Sequence, residues 1–120
     1  MVSNILRFPA NRAATSPGLR VLLADDDRDT VLTLATILAD DGHEVRALGG
    51  GAEVPEVVRD FDPDAVILDI EMPGRNGYAL ARELRERQVD RRPLLIAISG
   101  VNVWNRLNAA TRQLAGSFTG

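Results

Sequence analysis

The sequence predicts one α/β domain, a doubly wound parallel sheet enclosed by helices. Three observations predict it. Apolar runs alternate with stretches whose apolar residues recur at helical spacing. Three of the runs, residues 21–24, 65–68 and 94–98, are apolar at every position, which requires cover on both faces of the sheet. A length of 120 residues, 45% hydrophobic and 26% charged, has the size and balance of one globular domain.

Taken in order, residues 1–18 read as an N-terminal extension or linker, because positions 11–18 are small, polar and turn-forming. Ahead of them Val2, Ile5 and Leu6 fit one turn of an amphipathic helix or a frayed terminus. Residues 21–24 form a strand stopped by Asp25, Asp26 and Asp27. Val31, Leu34, Ala35 and Leu38 then mark a helix that Gly42 ends. Residues 44–48 alternate weakly as a short strand, and three glycines at 49–51 make a flexible turn. Residues 52–61 form a short helix with Pro55 in its first turn. Residues 65–69 are the next strand, and Pro73-Gly74 and Asn76-Gly77 mark a loop. Tyr78, Ala81 and Leu84 continue as an amphipathic helix whose outer face carries Arg82, Glu83, Glu86 and Arg87. A strand at 94–98 and a helix at about 103–115 complete four strand–helix units, which right-handed crossovers wind into a sandwich.

Composition excludes several classes of function. No apolar run approaches the roughly 20 residues that span a bilayer, and no secretory signal opens the chain. The absence of cysteine excludes disulfides, thiolate metal sites and a cysteine nucleophile. A cytoplasmic protein is expected. The net charge of -3 argues against a nucleic-acid-binding surface. All 14 basic residues are arginine, so chemistry needing a lysine amine is impossible within these residues.

Ligands of open parallel sheets bind beyond the carboxyl ends of the strands. Those ends carry Asp25, Asp26 and Asp27 on the first strand, Asp69 on the third and Ser99 on the fourth. Each has a structural and a chemical reading. The aspartate triplet is a solvated charge run with a helix cap at Asp27 or Asp29, or a site for a divalent cation that offsets carboxylate repulsion. Asp69 bonds to turn amides, or attacks a phosphoryl group to form an acyl phosphate. Ser99 is a turn or cap residue, or donates its hydroxyl to a phosphoryl oxygen in the space left by Gly100. His43, the only histidine, is expected at the surface. Arg75 and Arg82 are read as a solvated face or as a contact for a partner.

Together these residues resemble the receiver domain of two-component response regulators. The matching pieces are Val21-Leu22-Leu23-Ala24-Asp25-Asp26-Asp27, the stretch from Asp64 through Asp69-Ile70-Glu71-Met72-Pro73-Gly74 to Gly77, and Leu94-Leu95-Ile96-Ala97-Ile98-Ser99-Gly100. The resemblance covers about residues 19–116. It implies a flavodoxin-like strand order 2-1-3-4, counted from the strand at 21–24. It also implies Asp69 as phosphoacceptor and Ser99 as switch hydroxyl. A Mg2+ ion would be held by Asp25, Asp26, Asp69 and the backbone carbonyl of Glu71. The partner would be a histidine kinase or phosphotransfer protein.

The family's lysine at the end of a fifth strand, with the proline and fifth helix beyond it, has no counterpart before Gly120. Residues 19–120 are therefore expected to be a C-terminally truncated receiver whose fifth strand is missing or incomplete. Its phosphorylation is expected to be slow or absent, with Mg2+ binding retained. An exposed edge on the strand at 94–98 and an open fifth-helix face predict a homodimer, a swapped assembly or poor solubility. Alternatively, the segment with Val2, Ile5, Leu6 and Phe8 covers part of that gap. Two other functions compete: a pseudo-receiver that acts by protein contact alone, and a Mg2+-dependent phosphohydrolase with an aspartate nucleophile.

Overall fold

Alternation along the first apolar run decides the layering. Val21 and Leu23 point to one face of the sheet, Leu22 and Ala24 to the other, and all four are fully buried. The computed structural model describes residues 5–15, 17–69, 77–87 and 93–98. They form β1 (Leu6–Phe8), β2 (Arg20–Ala24), α1 (Arg28–Asp40), β3 (Glu44–Leu48), α2 (Val54–Phe61), β4 (Ala65–Asp69), α3 (Gly77–Arg87) and β5 (Leu94–Ile98). The sheet order is β1-β3-β2-β4-β5. The four strands from β3 to β5 are parallel, which is the expected 2-1-3-4 order. The fold is α/β and doubly wound.

The helices cover both faces. On one, Val31, Leu34, Ala35 and Leu38 of α1 pack against Val21, Leu23, Val45 and Ile67. On the other, Val57 and Phe61 of α2 and Leu80 and Leu84 of α3 pack against Leu22, Leu48, Val66 and Leu68. Arg46 lies over the Phe61 ring, 4.2 Å from its centroid, so its guanidinium caps that second core from the edge. No described helix is long and apolar enough to cross a membrane.

Asp64 aligns the amino ends of three strands. Its Oδ2 accepts from the Arg20 amide at 2.9 Å, its amide donates to the Arg20 carbonyl at 2.8 Å, and its carbonyl accepts from the Leu94 amide at 2.9 Å. With β2, β4 and β5 fixed at that level, their opposite ends reach one rim together.

The N-terminal segment differs from expectation. Residues 6–8 form a strand, not a helical turn, and pair antiparallel with β3, Leu6 opposite Ala47 and Phe8 opposite Val45. The physical reason is twofold. The strand satisfies backbone groups along the outer edge of β3. Alternation also sends Phe8 to the α1-side core and Ile5 to the α2-side core. The Asn11 amide and side chain then donate to the carbonyls of Ala39 and Asp40 at the end of α1, at 2.9 and 3.2 Å. Because β1 lies at the opposite edge of the sheet from β5, it does not cover a gap beside β5. The expected incomplete fifth strand and the helix at 103–115 concern residues outside the described ones, whereas the strand edge expected to pair in a homodimer is that of β5, the outermost strand on its side among the described residues.

His43 is a second difference: it is buried, at 3% exposure, where a surface role was expected. Gly42, at φ 99°, turns the chain from α1 into β3 and drops His43 inward, where its Nδ1 accepts from the Leu19 amide at 2.9 Å. Gly18 packs against the same turn, and a Cβ there would overlap the Gly42 carbonyl.

Candidate metal centre

Register builds the site. Ala24 of β2 is opposite Leu68 of β4, so the next residues, Asp25 and Asp69, leave neighbouring strands at one level. Parallel strands are about 5 Å apart. The Asp25 amide donates to the Leu48 carbonyl at 3.1 Å, carrying the β2–β3 ladder one residue further. Its Oδ1 accepts from the Asp27 amide at 2.9 Å, which fixes the turn through Asp26. Asp25 and Asp69 are fully buried and Asp26 is exposed. Carboxylate oxygens from all three lie within 4.8 Å of one another.

Asp27 has a different task. It is the N-cap of α1, and its Oδ1 accepts from the Asp29 amide at 3.2 Å while Oδ2 accepts from the Thr30 hydroxyl at 2.7 Å. The triplet thus divides between two roles. Asp27 starts the helix, which orients the two preceding acids, and Asp25 and Asp26 join Asp69.

Three carboxylates this close repel, and two of them are out of water. A small divalent cation removes both costs. Octahedral coordination at about 2.1 Å sets neighbouring ligand oxygens roughly 3 Å apart and opposite ones roughly 4 Å apart. Oxygens that all lie within 4.8 Å fit that scale, and an all-oxygen donor set suits Mg2+.

A cleft of about 390 Å3 opens beside the acids, lined by Asp25, Asp26, Arg28, Val31 and Gly49, with Leu6 of β1 and Ile5 just before it. The two N-terminal residues were not expected there. Their signal was the alternation of Leu6, Arg7 and Phe8, which fits a strand as well as a helical turn. Of the other residues singled out in the sequence, Glu71, Arg75 and Ser99 lie outside the described residues. Arg82 is exposed on α3.

Comparison with known proteins matches this architecture to one family. The model of the response regulator receiver domain matches residues 21–116. The chain belongs to that family. As a receiver domain it is not an enzyme in the ordinary sense. It is 40% identical over 67 residues to the aerobic respiration control protein ArcA of Escherichia coli, covering 56% of this chain and 28% of that protein. It is 35% identical over 89 residues to the sensory/regulatory protein RpfC of Xanthomonas campestris, covering 72% of this chain and 12% of that protein. The transcriptional regulatory protein TcrA of Mycobacterium tuberculosis is 29% identical over 110 residues, 92% of this chain and 40% of TcrA. The receiver domain therefore spans well under half the length of these relatives. Among solved structures, a CheY-like receiver domain from Methylobacillus flagellatus superposes with a TM-score of 0.68 at 17% identity, covering 84% of this chain and 98% of that one. A response regulator receiver domain from Bermanella marisrubri gives 0.63 at 27% identity, covering 77% of each chain.

Proposed function

We propose that this receiver domain takes a phosphoryl group on Asp69, in a Mg2+-dependent reaction, from a histidine kinase or phosphotransfer protein. The observation that carries this reading is the convergence of the Asp25, Asp26 and Asp69 oxygens within 4.8 Å at the rim of a parallel sheet. Asp25, Asp26, Asp69 and the backbone carbonyl of Glu71 would hold the ion. When bound, Mg2+ would offset the charge that builds up as a phosphoryl group meets a carboxylate.

The chain's own residues then have separate tasks. Asp69 is the nucleophile: an oxygen–phosphorus bond forms as the phosphorus–nitrogen bond of the donor phosphohistidine breaks. The donor imidazole leaves with the electron pair and takes a proton. Burial at the end of β4 holds that carboxylate in one orientation, which lowers the entropic cost of attack. The Asp25 carboxylate is held by the Asp27 amide, and Asp26 stands at the solvent side where an ion would enter. Ser99 would donate its hydroxyl to a phosphoryl oxygen.

The test is incubation with Mg2+ and acetyl phosphate. A Mg2+-dependent, base-labile adduct, absent in Asp69→Asn, supports the reading. A folded protein that binds Mg2+ yet takes no adduct from acetyl phosphate or a phosphohistidine donor indicates an interaction module instead. Steady hydrolysis of phosphate esters indicates a phosphohydrolase.

A further inference from the structure

One cation shares the cleft of the acids. Arg28, the first residue of α1, lines it together with Asp25 and Asp26, and no other basic side chain among the described residues does so. Helix formation does not favour an arginine there. The amino end of a helix carries partial positive charge, which Asp29 offsets and Arg28 adds to, whereas the last turn of α1, where a cation would be favoured, has no basic residue. Nor does a partner hold it: among the described residues the exposed Arg28 side chain enters no ion pair or hydrogen bond. Val31, three residues on along the same helical face, lines the cleft as well, so α1 turns this face toward the rim. A positive charge set against the helix dipole, in the cleft of the acids yet bonded to none of them, is in place for an anion that comes and goes.

We propose that Arg28 binds the phosphoryl group of the donor as it enters the cleft on its way to Asp69. The inference rests on the phosphoacceptor reading. A phosphoryl group brings further negative charge to a rim that already carries Asp25, Asp26 and Asp69, and one divalent ion leaves much of the total unbalanced. A guanidinium offers two parallel N–H groups to two phosphoryl oxygens, which adds orientation to charge. At roughly 30 Å3 per liquid water, a cleft of about 390 Å3 has room for a small phosphoryl donor beside a hydrated ion. Ile5, Leu6 and Val31 line its apolar side, where less water screens the attraction. The same charge repels Mg2+, so Arg28 acts on the two ligands in opposite directions.

The test compares the full chain with Arg28→Gln, Arg28→Lys and Arg59→Gln. Arg59, exposed in the last turn of α2, removes the same charge away from the cleft. In saturating Mg2+, inorganic phosphate should shift the Arg28 Nε–H signal, and its affinity should fall about tenfold in Arg28→Gln. Mg2+ alone should bind that variant about twofold more tightly, a gain that loss of a merely structural residue would not produce. Arg28→Lys should keep the parent's Mg2+ affinity and recover part of the phosphate affinity, and Arg59→Gln should match the parent in both. The rate of Asp69 labelling at low acetyl phosphate should follow the phosphate affinities. No phosphate shift at Arg28, an unchanged phosphate affinity in Arg28→Gln, or an equal loss in Arg59→Gln would each overturn the proposal. Labelling of Asp69 at the parent's rate in Arg28→Gln overturns it and leaves the phosphoacceptor reading intact. Phosphate binding at Arg28 in a chain that acetyl phosphate does not label overturns the phosphoacceptor reading and leaves Arg28 as an anion-binding residue.

Discussion

Asp26 lies beyond the end of β2 and Asp69 is the last residue of β4, yet the two hold carboxylate oxygens within 4.8 Å of each other. Parallel pairing of β2 with β4 brings this about, because it sets Ala24 level with Leu68 and leaves the next residues on one rim. Asp64 fixes the same strands at their other ends, so the site depends on register established a full strand length away.

If these acids share a divalent ion, metal binding and stability are linked. At a hundred times its Kd, Mg2+ should stabilise the fold by about 2.7 kcal/mol, which raises Tm by several degrees. Asp26→Asn should weaken Mg2+ binding by about tenfold or more, about 1.4 kcal/mol. Without Mg2+ the variant should be at least as stable as the parent, because one of three repelling carboxylates is gone. Calorimetric titration and thermal melts read both effects, and unchanged affinity would count against the shared ion.

Asp27 should separate cleanly from its neighbours. Asp27→Ala removes the acceptor for the Asp29 amide and the Thr30 hydroxyl, and should cost about 1 kcal/mol in urea unfolding. Its backbone amide still donates to Asp25, so Mg2+ affinity should barely change.

His43 makes stability depend on pH. Burial lowers its pKa from the usual 6.5, and the Asp41 carboxylate at 3.8 Å opposes this only in part. Protonation would also remove the acceptor that Nδ1 offers to the Leu19 amide. The unfolded chain therefore binds the proton more readily than the folded one. Stability should be intact above about pH 6.5 and fall as pH drops through that value toward the folded pKa. Urea unfolding above and below this pH should show a slope that His43→Gln flattens.

The N-terminal strand should contribute to the fold as a packed element. Phe8 is partly buried against the α1-side core, so Phe8→Ala should cost about 1–2 kcal/mol, less than the 3–5 typical of a fully buried phenylalanine. Amide exchange along the outer edge of β3 should accelerate with it. A variant indistinguishable from the parent would mean that residues 6–8 add no stability.

Legibility in the sequence followed the strength of local signals. The runs at 21–24, 65–68 and 94–98 were apolar enough to declare buried parallel strands, and Gly42 and Pro55 marked one helix end and one helix start. Asp25, Asp26 and Asp69 could be grouped because the rule for open sheets places strand ends together. Residues 6–8 were ambiguous, since three residues show no period that separates a strand from a helical turn. Pairing with β3, a long-range event, decides their state. His43 followed the glycine that ends α1, and no local signal announces the Leu19 amide that donates to it.

The most direct test of the central claim is to locate the acceptor. The chain is treated with Mg2+ and acetyl phosphate, reduced with borohydride, and digested for mass spectrometry. Reduction turns an acyl phosphate into homoserine, and the account predicts homoserine at position 69, lost when Mg2+ is withheld. Homoserine at position 25, 26 or 27, or none at all in a folded chain that binds Mg2+, would contradict it.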